Sequence, residues 1–186
     1  MSRPVLITGI AGFAGGFLAE HLSACGDSVL GCSPDGDWET ASSPSIRDAV
    51  ELVAWNLASD GGLSDEARQR IEAFRPQIIY HLAAMSIPQD CGTKQPSAMA
   101  VAINVAGTRR VLRLAGSLST QPRVLFVSSS LVYGPVGFDS PKVAENAFLG
   151  PAGAYGQTKL AAENVVAQAV REHGCDAIIV RAFQHT

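Results

Sequence analysis

The sequence predicts an α/β fold, a doubly wound parallel sheet with helices on both faces. Two observations carry that prediction. Short β-rich runs alternate with stretches of helical periodicity from one end of the chain to the other. At the first junction between them lies a turn carrying Gly9, Gly12 and Gly15. The 186 residues suffice for one domain, 1–186, with its own core, and 47% hydrophobic with 17% charged residues is a globular balance.

Taken in order, Pro4–Thr8 reads as the first strand, Phe13–Cys25 as a helix and Ser28–Cys32 as a strand. Ser33–Asp48 is polar and rich in Ser, Pro and Gly, and reads as a loop. Val50–Trp55 follows as a strand, Leu63–Phe74 as a helix and Gln77–Leu82 as a strand. Ser97–Gly116 is a long helix, Arg123–Ser128 a strand and Gly134–Gly150 a loop with Pro and Gly. Pro151 suits the first turn of a helix running to about His173. Asp176–Arg181 is the last strand.

The formal charge of −3 and a pI near 5.8 leave no basic footprint, so no nucleic-acid partner is expected. Cys25, Cys32, Cys91 and Cys175 are scattered, with no C-x-x-C pair. They read as reduced thiols of a cytoplasmic protein, and no metal site is expected. Leu22-Ser23-Ala24-Cys25 looks like a lipoprotein cleavage box after the apolar stretch Val5–Ala19. Glu20 and His21 interrupt that stretch and only Arg3 precedes it, so strand, turn and helix explain it better than a leader does. No apolar run reaches about 18 residues, so no membrane span is expected.

The turn Thr8-Gly9-Ile10-Ala11-Gly12-Phe13-Ala14-Gly15 follows a strand and opens a helix. Gly9 permits a tight turn, Gly12 lets a pyrophosphate approach the backbone, and Gly15 lets the helix pack close to the sheet. The helix start offers free N–H donors and a positive dipole end to phosphates. That is the phosphate site of a Rossmann-type fold.

The spacing T-G-x-x-G-F-x-G resembles that of the extended short-chain dehydrogenase/reductases of the NAD-dependent epimerase/dehydratase type. The resemblance extends to His81-Leu82-Ala83-Ala84, to Asn104-Val105-Ala106-Gly107-Thr108 and to Ser128 through Gly134. It continues in Tyr155-x-x-x-Lys159 and in Arg181 through Thr186, and so covers the whole chain. It implies an NAD or NADP cofactor and a nucleotide-activated sugar as substrate.

Tyr155 and Lys159 are four apart and share a helix face. An ammonium nearby is expected to lower the pKa of the tyrosine, ordinarily near 10, so that it moves a proton while hydride passes to or from nicotinamide. Ser129 ends a strand, where open α/β sheets place ligands. The resemblance implies the same assignment, since the family's catalytic Ser/Thr lies four residues before the Tyr of the Tyr133-Gly134 pair. Lys159 is further implied to hold the nicotinamide ribose, as Tyr155 lies beside the cofactor. Phe13 belongs to the phosphate turn, Asn56 and Leu57 fall where the family contacts adenine, and Ala83 and Ala84 are small enough to lie beside the cofactor. Met85, Ser86 and Ser130 are candidates to face the substrate. Asn104 is either functional or a backbone anchor, and His81 and His185 read as structural.

Asp35 lies about twenty residues past Gly15, as a ribose-binding acid should, though beyond the family's usual slot. No arginine accompanies it, which favours NAD over NADP. The family's dehydratases carry an acid two residues after the catalytic Ser/Thr. Leu131 stands there, so dehydration is disfavoured against 4-epimerisation or 4-keto reduction. The ending Arg181-x-Phe183-x-His185-Thr186 and the His81–Ser86 stretch look most like the GDP-mannose branch, including GDP-4-keto-6-deoxy-mannose reductases. Relatives continue past this point with a Gly-Pro turn and a substrate-binding lobe, so an incomplete sugar pocket is expected. Two other readings stay open: a sensor or interaction module that binds NAD(P) without turnover, and a reductase of another small alcohol or ketone. Helices 97–116 and 151–173 carry apolar residues on more than one face, and a homodimer through them is expected.

Overall fold

The computed structural model describes residues 2–38, 44–135 and 142–183. Within them lie β1 (Pro4–Thr8), α1 (Phe13–Ala24), β2 (Ser28–Ser33), α2 (Pro44–Ala49), β3 (Glu51–Ala54), α3 (Asp65–Phe74) and β4 (Ile78–His81). After these come α4 (Ala98–Ala100), a π-helical segment Val101–Ala106, α5 (Gly107–Ser117), β5 (Arg123–Ser129), α6 (Ala154–His173) and β6 (Ala177–Ala182). All strand pairs are parallel, in the order β3-β2-β1-β4-β5-β6. The winding reverses between β1 and β4, and the ends of those two strands form the crevice where such sheets bind ligands.

Alternation along β1 assigns the two faces. Leu6 packs with Leu30, Ile79 and Phe126 of the sheet, and with Ile71 of α3, Leu114 of α5 and Val166 of α6. Val5 and Ile7 point the other way, onto Ile10, Ala19 and Leu22 and onto Ile46 of α2. Each such fully buried aliphatic side chain contributes about 1.5–3 kcal/mol. On β6, Ala177 and Ile179 face the core under α6, while Ile178 and Val180 on the other face are 44% and 39% exposed.

Local signals fix the helix ends. Ser64 caps α3 by accepting from the Ala67 N–H at 3.1 Å, and Asp65 and Glu66 favour the positive end of that helix. Gly174, at φ +65°, ends α6 after Arg171 and His173.

Four sequence expectations need correction. The expected loop Ser33–Asp48 contains α2, because Pro44 opens a short helix whose Ile46 is buried against α1; residues 39–43 of that loop lie outside the described ones. The expected long helix is not uniformly α-helical. Ser97 caps it, but Val101–Ala106 has π geometry, with the Gly107 N–H donating to the Ala102 carbonyl. Pro151 lies outside the last helix, whose N-cap is Gly153. Finally, the apolar residues of helix 151–173 are not all free for a dimer interface: Val166 is 1% exposed and belongs to the monomer core.

Candidate active site

A cleft of about 720 Å³ runs along the carboxyl ends of the strands. Its walls include Gly9, Gly12, Phe13 and Gly15, then Asn56 and Leu57, Ala83 to Ser86, Ser129, Ser130, Tyr155 and Lys159. Every expected site residue except Asp35 therefore lies on one cavity.

The glycine turn meets three distinct demands. Gly9 has φ +74°, and a Cβ there would stand 2.6 Å from the Ala83 nitrogen, so the turn can close against the end of β4 only without a side chain. A Cβ on Gly15 would stand 2.3 Å from the Gly9 carbonyl oxygen and 2.6 Å from the Ile10 Cα. Gly15 thus permits close packing of α1 on its own turn, not on the sheet as expected. A Cβ on Gly12 would meet only the Gly9 carbonyl, at 3.4 Å. Space is left over that residue, and the helix start it precedes has no side-chain cap. This combination fits a phosphate group.

At the end of β2 the cleft wall is Cys32, Ser33 and Pro34. Asp35 is exposed, and its carboxylate accepts from the Asp37 N–H at 3.2 Å and the Ser33 hydroxyl at 3.4 Å. The structure keeps Asp35 out of the cleft because the chain has already turned away two residues past the strand. Among the described residues that line the cleft, Lys159 is the one cation. On the neighbouring turn the Asn56 side chain accepts from the Ala58 N–H at 2.9 Å. Arg110 holds the Leu57 carbonyl at 2.6 Å and the Ala102 carbonyl at 3.2 Å, tying this turn to the π segment.

On the opposite wall, Ser129 ends β5 while Tyr155 and Lys159 rise from α6. Burial pushes the Tyr155 phenol above its ordinary pKa, and the Ser129 hydroxyl pulls it part of the way back. The expected lowering is therefore not the net result, because desolvation of the phenolate outweighs the favourable contacts. Lys159 is buried, with its ammonium 4.6 Å from the centre of the Phe126 ring. Desolvation brings its pKa down to about 8, against the opposing pull of the Glu163 carboxylate.

Two buried polar chains support the site. His81 bridges the Thr8 hydroxyl at 2.7 Å and the Thr108 hydroxyl at 3.0 Å, and burial pushes its pKa down to about 3, so the ring is neutral. This is the structural role expected of it; His185 lies outside the described residues. Asn104 accepts from the Met85 N–H at 2.8 Å and donates to the Met85 carbonyl at 3.1 Å and the Thr158 hydroxyl at 2.9 Å. It anchors backbone and is not among the lining residues. Sequence reasoning passed over Ser128, Glu163 and Arg181 as a group. The Ser128 hydroxyl donates to Glu163 at 2.5 Å, and Arg181 donates to both carboxylate oxygens, at 3.0 and 2.8 Å. The available signal was the spacing of Glu163 four residues after Lys159 on one helix face.

A glycine turn at the switch point of a doubly wound sheet, opening on the same cleft as a Ser–Tyr–Lys wall, defines the class of extended short-chain dehydrogenase/reductases. The model of the NAD dependent epimerase/dehydratase family matches residues 5–186, and the chain belongs to that family. It is 31% identical to UDP-glucuronate 4-epimerase 6 of Arabidopsis thaliana, over 87% of this chain and 35% of that protein. It is 32% identical to D-erythronate dehydrogenase of Cupriavidus necator, over 95% of this chain and 53% of that protein. Its fold matches that of UDP-glucose 4-epimerase from Brucella ovis, solved in complex with NAD, at a TM-score of 0.79 and 24% identity. That match covers 99% of this chain and 52% of the other. The chain thus spans about a third to a half of the length of these proteins. Among the described residues no helix is long and apolar enough to cross a membrane, and no group of three or more His, Cys, Asp or Glu side chains could hold a metal ion.

Proposed function

We propose that this chain is the cofactor-binding, proton-transferring part of an NAD-dependent enzyme acting on a nucleotide-activated sugar, either oxidising and re-reducing a hydroxyl in a 4-epimerisation or reducing a ketone in a 4-keto reduction. The observation that carries the reading is that Gly12, Ser129, Tyr155 and Lys159 face one cleft. The open space over Gly12 fits the pyrophosphate. NAD is favoured over NADP because, among the described residues, no arginine lines the cleft to receive a 2′-phosphate. When bound, the cofactor supplies the hydride acceptor and donor. Ser129 is suited to orient the reacting oxygen. Tyr155, whose burial favours the neutral phenol, is suited to give that oxygen a proton as hydride is delivered, and its phenolate to take the proton when a hydroxyl is oxidised, while Lys159 supplies a positive charge on the same helix face and a ribose contact. Met85, Ser86 and Ser130 are the substrate-side candidates on the same cleft.

As to branch, the name of the Arabidopsis relative supports UDP-sugar 4-epimerisation ahead of the GDP-mannose chemistry suggested by the His81–Ser86 stretch. A second reading has its own support: likeness to a D-erythronate dehydrogenase favours a small hydroxy acid. Assays with UDP-glucuronate and with D-erythronate separate the two. An epimerase returns its cofactor and builds up no NADH, whereas a dehydrogenase accumulates it. In either case Tyr155→Phe should slow turnover by about 10²–10⁴-fold and leave NADH binding nearly unchanged. Wild-type turnover in that variant would overturn the mechanism. A sensor without turnover would use the glycine turn and have no use for the Ser–Tyr–Lys wall. A homodimer through helices 97–116 and 151–173 belongs to the same reading, with Ala102→Glu expected to give monomers in light scattering. A monomeric wild-type protein at high concentration would dismiss the dimer.

A further inference from the structure

Glu163 lies outside the cleft, yet it is the carboxylate whose charge is felt by the cation of the catalytic wall, Lys159. It stands one helical turn beyond Lys159 on α6, and the two residues are 4% and 3% exposed. Arg181 meets its carboxylate from β6 in a two-pronged pair, while Ser128 donates from β5. Arg181 is itself fixed, donating to the Tyr133 hydroxyl at 2.9 Å and the Glu145 carbonyl at 2.8 Å, and lying 4.9 Å from the centre of the Tyr133 ring.

We propose that Glu163 and Arg181 are positioning residues that set the charge of Lys159, the carboxylate holding the ammonium protonated and the guanidinium limiting that hold. The inference rests on the reading of Lys159 as part of the catalytic set. Fastening β6 to α6 does not by itself require an ion pair, since apolar side chains of similar volume often serve as well or better. An anion inside a desolvated helix face does what an apolar residue cannot: it supplies a field at a neighbouring buried ammonium, where low dielectric makes it felt. The other groups around Lys159 leave that field unopposed. His81, from β4, is neutral, and the Cys91 thiol, from the loop before α4, is pushed up by burial and stays protonated. β5 presents the face of Phe126, and Tyr155 on the same helix is held as the neutral phenol. The fixed charges that remain are Glu163 and, through it, Arg181.

The two partners must then act in opposite senses, which a merely structural clasp would not do. The lysines are Lys94, Lys142 and Lys159, so side-chain NMR of isotope-labelled lysine, with Lys94→Arg and Lys142→Arg as assignment controls, reads Lys159 directly. In the chain without cofactor or substrate, wild-type Lys159 should titrate near the value of about 8. Glu163→Gln should lower that midpoint by about one pH unit and Arg181→Gln should raise it by about one. The double variant should return close to wild type. Single-variant midpoints that move in the same direction, or do not move, overturn the proposal. Should either single variant fail to fold, Ser128→Ala takes its place. That change strips one hydrogen bond from the carboxylate and keeps the pair, so the midpoint must rise; an unmoved or lowered midpoint overturns the proposal equally. The titration involves no turnover, so an active Tyr155→Phe enzyme would remove the catalytic reading and leave these midpoints standing.

Discussion

The two walls of the cleft are built by different means. The β1–β2 wall is backbone: Gly9, Gly12 and Gly15 place the chain itself against the ligand space, with apolar packing by Val5, Ile7 and Ile10 beneath. The β5–α6 wall consists of side chains, and its footing is polar, with Glu163 and Arg181 paired, and Ser128 and Tyr133 bonded to them. A backbone wall tolerates or rejects a substitution by steric distance alone. A polar wall responds by charge, and by whether a partner is left without its mate.

The largest difference between the walls should appear when half of the buried pair is removed. Arg181→Met leaves the Glu163 carboxylate, 4% exposed, with its main partner gone. The expected loss is about 3–5 kcal/mol in chemical denaturation. Adding Glu163→Leu should recover most of it, because the uncompensated charge goes too. A double variant no more stable than Arg181→Met would show that the polar footing works through shape and not charge.

On the backbone wall the corresponding break is Gly15→Ala. Alanine favours a helix by about 1 kcal/mol over glycine, but its Cβ would sit 2.3 Å from the Gly9 oxygen, which the turn cannot move without opening. A net loss of about 1–3 kcal/mol is expected, with the same value at low and high salt. A salt-dependent or negligible loss would count against a purely steric wall.

The backbone wall was legible in the sequence for the reason that makes it simple. Glycines between a strand and a helix report a conformation and a close approach locally, and β1 occupies the expected Pro4–Thr8. Tyr155 and Lys159 were legible too, since helical spacing places them on one face. What supports them was not, because Ser128, Glu163 and Arg181 come from β5, α6 and β6, and only the fold brings them together. Asp35 failed for the converse reason. Counting from Gly15 gives a distance along the chain, while the turn after Ser33 sends the carboxylate back onto its own backbone. The π segment has no composition signal; its geometry is tied to Asn104 reaching Met85 and Thr158 across three elements.

Between the two walls lies His81, and it ties them to pH. Its folded pKa, pushed by burial from 6.5 to about 3, lies below its unfolded value, so the unfolded state binds more protons between those limits. Stability from this group is fully present above about pH 6.5 and is lost as pH falls, at about 1.4 kcal/mol per unit. His81→Gln should flatten the stability profile from about pH 6.5 to about pH 5, before most carboxylates titrate, whatever it does to the absolute value. A slope equal to wild type would mean that the imidazole is not the group responsible.

The smallest effect on stability should come from Gly12→Ala, and it tests the backbone wall most sharply. The new Cβ would meet only the Gly9 carbonyl at 3.4 Å, an ordinary contact, and the residue's φ of −75° suits alanine. The expected cost is about 0.5 kcal/mol, since alanine is a poorer N-cap than glycine. The methyl group would nonetheless occupy the space over the helix start, where a pyrophosphate must come within hydrogen-bond reach of the backbone N–H groups. NADH fluorescence titration should therefore show a large loss of binding in a protein that melts almost as wild type does. Gly15→Ala should lose binding only in step with its folded fraction. If Gly12→Ala binds NADH as tightly as wild type, the space over Gly12 is not the phosphate site, and the cofactor must lie elsewhere in the cleft.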